Sequence, residues 1–121
     1  MGGARRGTDK TVTYVESAVF AVGSLVTLDG LDSSKAHCFA GVQFFNDAAG
    51  LVPATPTAGT LLVEIRTVNT TPIFEAIPAN TISANAPTTI SWAANTQAVR
   101  ATPTGIVGAT HYKLVVTCNE T

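Results

Sequence analysis

The run TLLVEIRTV, Thr60 to Val68, sets the tone for the whole chain. Leu61, Val63 and Ile65 fall on one side of an extended backbone, and Leu62, Glu64 and Arg66 on the other. This two-residue period specifies a half-buried strand and is incompatible with a helix buried along one stripe. Helical periodicity is weak elsewhere too. The Ala-rich windows around Ala48 and Ala93 are short and broken by Gly or Asn. Thr and Val abound, and Pro or Gly interrupts the apolar runs about every dozen residues, the spacing of short strands in a sandwich or barrel.

The other runs are read in the same way. TVTYVE from Thr11 and AVFAVGSLVTL, bent at Gly23-Ser24, are strands. In LDGLDSSK, Leu28 to Lys35, Asp29-Gly30 is a hairpin signal. AHCFAGVQFFND follows, with Phe39 and Phe45 on one face and Cys38, Val42 and Phe44 on the other, a pattern for a strand buried on both sides. AAGLVPATPTAG is a connection and NTTP a turn. IFEAI is a strand closed by Pro78, NTISANAP is loop-like, and TTISWAA, Thr88 to Ala94, is a short strand around Trp92. QAVRATP points Val99 in and Arg100 out and ends at Pro103. In the last strand, THYKLVVTC, Tyr112, Leu114, Val116 and Cys118 share one face; His111, Lys113 and Thr117 share the other.

The expected fold is all-β: a compact β-sandwich of jelly-roll or Greek-key type, favoured over a meander by long connections such as Gly50 to Gly59. Residues 11–121 form this single domain. Residues 1–10, with almost no apolar content, form an extended N-terminal arm, with Gly2, Gly3, Arg5, Arg6 and Lys10 as candidate partner-binding residues. ATPT followed by glycine occurs twice, from Ala54 and from Ala101, and reads as one turn solution used twice.

A chain of 121 residues can bury a core without disulfides or metals. Only 12% of residues are charged, about half the usual share. The polar surface therefore rests on Thr, Ser and Asn and suits packing against other subunits. A net charge of −1 lacks the basic footprint of a nucleic-acid binder. No apolar run has the length of a membrane helix. MGGARRGTDK has no adjoining apolar core of a signal peptide, so synthesis in the cytoplasm without a cleaved leader is expected.

Catalytic and cofactor signatures are absent. GIVGATH lacks the lysine of a phosphate loop, and a strand follows it where a helix is required. His37 and Cys38 are adjacent and His111 and Cys118 seven apart, so each pair points to opposite strand faces and no metal set forms. Asp29, Asp32, Asp47 and Glu64 are scattered, and no nucleophile elbow is present. Asn69-Thr70-Thr71 and Asn119-Glu120-Thr121 match the glycosylation pattern, which is frequent by chance. Trp92 and the phenylalanines read as core in preference to a sugar platform, and Arg66 and Arg100 as residues of a solvated face. Cys38 and Cys118 are small buried hydrophobes, or a disulfide if their strands are neighbours and the compartment is oxidising.

VQFFNDAAGLVPATPTAGTLLVEI and VRATPTGIVGATHYKLVVT resemble segments of small structural proteins of tailed bacteriophages. The resemblance covers about Phe39 to Thr117 and is most specific from Val99 to Tyr112. It implies a virion component with a compact β-fold and no enzymatic activity or cofactor. The first expectation is a capsid decoration (cement) protein on the outer surface of the head, a homodimer or homotrimer binding the major capsid protein. The alternative is a tail or tail-fibre module that binds a receptor or glycan.

Overall fold

The computed structural model describes residues 13–31, 37–67 and 74–119, with backbone alone at 13 and 76–79. The expected arm, 1–10, and its candidate residues lie outside the described residues. Nine strands occur among the described residues: β1 (Thr13–Glu16), β2 (Phe20–Ala21), β3 (Val26–Leu28), β4 (His37–Phe45), β5 (Ala58–Thr67), β6 (Glu75–Ser83), β7 (Ile90–Trp92), β8 (Thr96–Val107) and β9 (His111–Asn119).

They form two antiparallel sheets packed face to face. One runs β1–β9–β4–β7, with β2 also on β9, and the other runs β3–β8–β5–β6. The pairing is nested. The first strands pair with the last, β3 with β8, β4 with β7, and β5 with β6. This is the jelly-roll form of the Greek key, a hairpin of strands rolled into two layers.

The alternation read in the sequence points the core inward. Leu61, Val63 and Ile65 of β5 and Val99 and Ala101 of β8 face Tyr112, Leu114, Val116 and Cys118 of β9 and Cys38, Ala40 and Phe44 of β4. β4 is buried on both sides only at Phe44 and Phe45, where the following loop folds back and Pro53 bridges Phe45.

Four boundaries differ from the sequence reading. AVFAVGSLVTL is two strands in different sheets, because the chain turns at Val22–Ser24, where the Ser24 N–H donates to Ala21 O. Gly30 takes a positive φ of 70° and donates to the Asp29 carboxylate, but β3 and β4 lie in different sheets, so this turn makes no hairpin. β6 runs through Pro78 and the NTIS segment expected to be loop. It is an edge strand, and its register on β5 shifts between Leu62 and Glu64, so a proline there interrupts no regular ladder. β8 likewise runs past Pro103 to Val107, beyond the last residue that β3 pairs, where one side of the strand is open.

The two ATPT segments are neighbours in space. Ala58 lies opposite Val107 and Thr60 opposite Thr104, with a bulge between them. Gly59, at φ 114°, sits in that bulge against the backbone of Gly105 and Ile106.

Charges are held on the outer faces. Glu64 and Arg100 lie opposite each other and pair at 2.8 Å; Arg66 pairs with Asp29 at 2.7 Å. The Phe74 ring packs beneath both guanidinium groups, at 4.4 Å from Arg100 and 5.6 Å from Arg66. On the other sheet Lys113 pairs with Glu16 at 2.7 Å.

One core polar group has a pH consequence. The Tyr112 hydroxyl donates to Ser24 O at 2.6 Å, and burial pushes its pKa up to about 12. The unfolded chain loses this proton near pH 10 and the folded chain near 12. The stability is intact below pH 10 and is lost as pH rises towards 12, by on the order of 2 kcal/mol. Thermal melts across this range are expected to fall more steeply for the native chain than for Tyr112→Phe.

Candidate functional site

Nested pairing gathers the β2–β3, β4–β5, β6–β7 and β8–β9 connections at one end of the sandwich. Among the described residues the catalytic and metal candidates do not gather into a site: Asp47 and His111 are neighbours at this end, but no third candidate joins them, and Asp32 lies outside the described residues. His37 and His111 occupy opposite ends of the β4–β9 ladder, His37 facing Asn119 and His111 facing Phe45. Among the described residues no three His, Cys, Asp or Glu side chains cluster to hold a metal. Asp29 and Glu64 are engaged by arginines.

The loop end is instead apolar. Leu51 is 79% exposed, Val107 55%, Leu25 52% and Val52 51%, and each lies in or beside one of these four connections. Phe20 and the half-buried Val19 adjoin them, Val19 approaching Gly50. Beside Pro53 a cavity of about 380 Å³ opens between the end of β4 and the next loops. Val42, Phe44, Phe45, Ala54 and Pro87 line it, with little polar surface.

The loop that carries Leu51 and Val52 is a built structure. The Asp47 carboxylate accepts hydrogen bonds from Leu51 N at 3.0 Å and Val52 N at 2.9 Å. Asn46 N donates to Val52 O, and Ala54 N to Phe44 O, so the segment returns along β4. With its backbone satisfied in this way, the apolar side chains at the tip are held outward. The Val52 N–H bond, aided by that of Leu51 and by nearby His111, holds the Asp47 carboxyl below the usual carboxylate range. A depressed pKa means the bonds are fully present above the ordinary carboxylate range and are lost as pH falls through the folded value. Protection of the Leu51 and Val52 amides against exchange, taken relative to the intrinsic rate at each pH, is therefore expected to fall in acid and to be lost at neutral pH in Asp47→Ala.

The GIVGATH segment backs this end. Gly105 and Gly108 have positive φ of 64° and 95°, and Gly108 lies against Pro56 and Thr57. Thr57 N donates to Val107 O at 2.7 Å. Gly108 serves chain reversal and close packing, whereas Gly105 lies within β8 opposite the β5 bulge. Trp92 is buried, and its indole N–H donates to Thr96 Oγ1 at 2.8 Å, so it offers no exposed aromatic face. In the sequence the exposed pair Leu51-Val52 reads as part of a connection. Its signal was two large apolar residues, followed by proline, within an otherwise small and polar segment.

No helix among the described residues is long and apolar enough to cross a membrane. No curated protein matches the chain. Among solved structures, a chain from the Bacillus endospore appendages, described as a family of disulfide-linked pili, aligns over 93% of this chain and 92% of its own. The identity is 9% and the TM-score 0.45. A family model matches residues 10–121, nearly the full sequence, and the chain belongs to that family, a domain of unknown function designated DUF7265.

Proposed function

We propose that this chain is a non-enzymatic structural protein of a tailed-phage particle, a decoration protein that seats its apolar loop end on the major capsid protein. The observation that carries the reading is the cluster of Leu25, Leu51, Val52 and Val107, large apolar side chains held in solvent at one end of a rigid sandwich. Surfaces of this kind are built for burial against a partner. The low charge of the chain and its resemblance to phage structural proteins support the same reading. Many copies on one shell sum modest contacts into a stabilising effect. A homodimer or homotrimer would present several such ends at once.

A tail or fibre module binding a glycan is the second reading. It calls for an exposed aromatic platform, and the burial of Trp92 removes the leading candidate for one.

Quantitative mass spectrometry of purified particles tests the proposal. Hundreds of copies per particle are expected for decoration. A few to dozens would transfer the chain to the tail, and none would remove it from the particle. The companion test is Leu51→Asp with Val52→Asp, both exposed and so tolerable to the fold. Loss of binding to purified heads is expected, and unchanged binding would overturn the assignment of the loop end.

A further inference from the structure

Cys38 of β4 and Cys118 of β9 are direct cross-strand partners in the first sheet. Neither is in a disulfide; both are fully buried, and both point into the core. The ladder geometry defines the kind of pair they make. Leu114 N donates to Ser17 Oγ and Leu114 O accepts from Ser17 N, so its backbone polar groups point away from β4. Cys118, four residues on, points the same way by the period of two. On β4, Phe44 O accepts from Ala54 N, on the side away from β9, and Cys38 lies six residues earlier in the same phase. The pair is therefore a non-hydrogen-bonded one, the type in which facing side chains come closest, with Cα atoms about 4.5 Å apart. That spacing lies within the range that disulfides span, about 4.4–6.8 Å.

We propose that Cys38 and Cys118 form an intrachain disulfide, a covalent staple across the two central strands of this sheet, whenever the chain meets an oxidising thiol–disulfide couple. The thiols already hydrogen-bond to each other. That bond, with a smaller contribution from the Thr96 hydroxyl, holds Cys38 below the usual thiol range in spite of its burial. With glutathione disulfide as oxidant, either cysteine, here Cys38, attacks one of its sulfurs as the thiolate. The glutathione S–S bond breaks, and one glutathione thiolate leaves and takes up a proton. The Cys118 thiol loses its proton, and its sulfur attacks the Cys38 sulfur of the mixed disulfide, expelling the second glutathione. In total the protein gives up two protons and two electrons, the equivalent of two hydrogen atoms, and one glutathione disulfide becomes two glutathiones. Because both sulfurs are buried, the exchange takes place during folding or local opening. In a glutathione-reduced compartment the thiols persist; outside it the staple closes.

The experiment places the full chain in buffers of graded glutathione to glutathione disulfide ratio, with and without denaturing urea. Acid-quenched samples are then weighed by intact mass. The folded chain is expected to lose two hydrogens, as a monomer, at ratios that leave the denatured chain largely reduced. Its melting temperature is expected to rise by about 10 °C or more, reversibly with dithiothreitol, since the bridge closes a long loop. Cys38→Ala and Cys118→Ala should each abolish the mass loss. Equal or easier oxidation of the denatured chain, a bridge only between two chains, or a lower melting temperature when bridged would each overturn the proposal. The native chain supplies these outcomes even if a variant fails to fold.

Discussion

Gly59→Ala is expected to destabilise the protein by about 3 kcal/mol or more and to lower its melting temperature by about 10 °C. Two costs act together. Gly59 has φ 114°, where an L side chain is strained. An added Cβ would also stand 2.7 Å from Gly105 O and 2.7 Å from Ile106 Cα. These are backbone atoms of β8, paired in register on either side, and they cannot swing away as a side-chain tip would. The comparison is Gly23→Ala. Nothing lies within 4 Å of a Cβ there and its φ is not positive, so a neutral or slightly stabilising effect is expected. Urea denaturation of both variants measures the difference. Equal effects at the two sites would show that the β5–β8 bulge can relax.

The second large effect concerns adjacent residues on opposite faces of one strand. Leu61 is fully buried, opposite Ile82 on β6 and Pro103 on β8. Truncation to alanine leaves a cavity and is expected to cost about 3 kcal/mol. Leu62, the next residue, faces outward and is 37% exposed. Leu62→Ala is expected to cost less than about 1 kcal/mol. Denaturant midpoints at equal slope measure both. Similar losses would mean that the outer face of this sheet is covered in the protein's working assembly.

The contrast between Leu61 and Leu62 was legible in the sequence because the period of two is local. The same holds for the inward row Tyr112, Leu114, Val116 and Cys118, and for Trp92 as a core residue. What was not legible depends on neighbours. Pro78 and Pro103 read as strand ends, because a proline removes a ladder donor. Whether that donor is needed depends on the strand beside it, and here Pro78 lies on an edge and Pro103 beyond the end of β3. Cys38 and Cys118 were each correctly turned inward, yet their direct opposition is a matter of register between distant strands. The candidate site was the least visible part. Leu51 and Val52 resemble core residues by type, and only the carboxylate of Asp47, binding their amides, reveals that the loop presents them outward. Arg66 and Arg100 did fall on an outer face, but both stack on Phe74, a partner that no short-range pattern suggested.

The nested pairing of strands has a kinetic consequence. The β5–β6 hairpin joins segments close in sequence, whereas β1 must meet β9 across almost the entire chain. Closing short loops costs less entropy than closing long ones, and non-local pairing slows folding. The expected order is zipping outward from β5–β6, with the outermost pair sealed last. During synthesis β1 emerges well before β9 and must wait for it. During that interval β4, which β9 covers on one side, exposes a long apolar edge. Nascent chains stalled before His111 would therefore be the aggregation-prone species, and the speed of translation through β9 would set how much protein reaches the folded state.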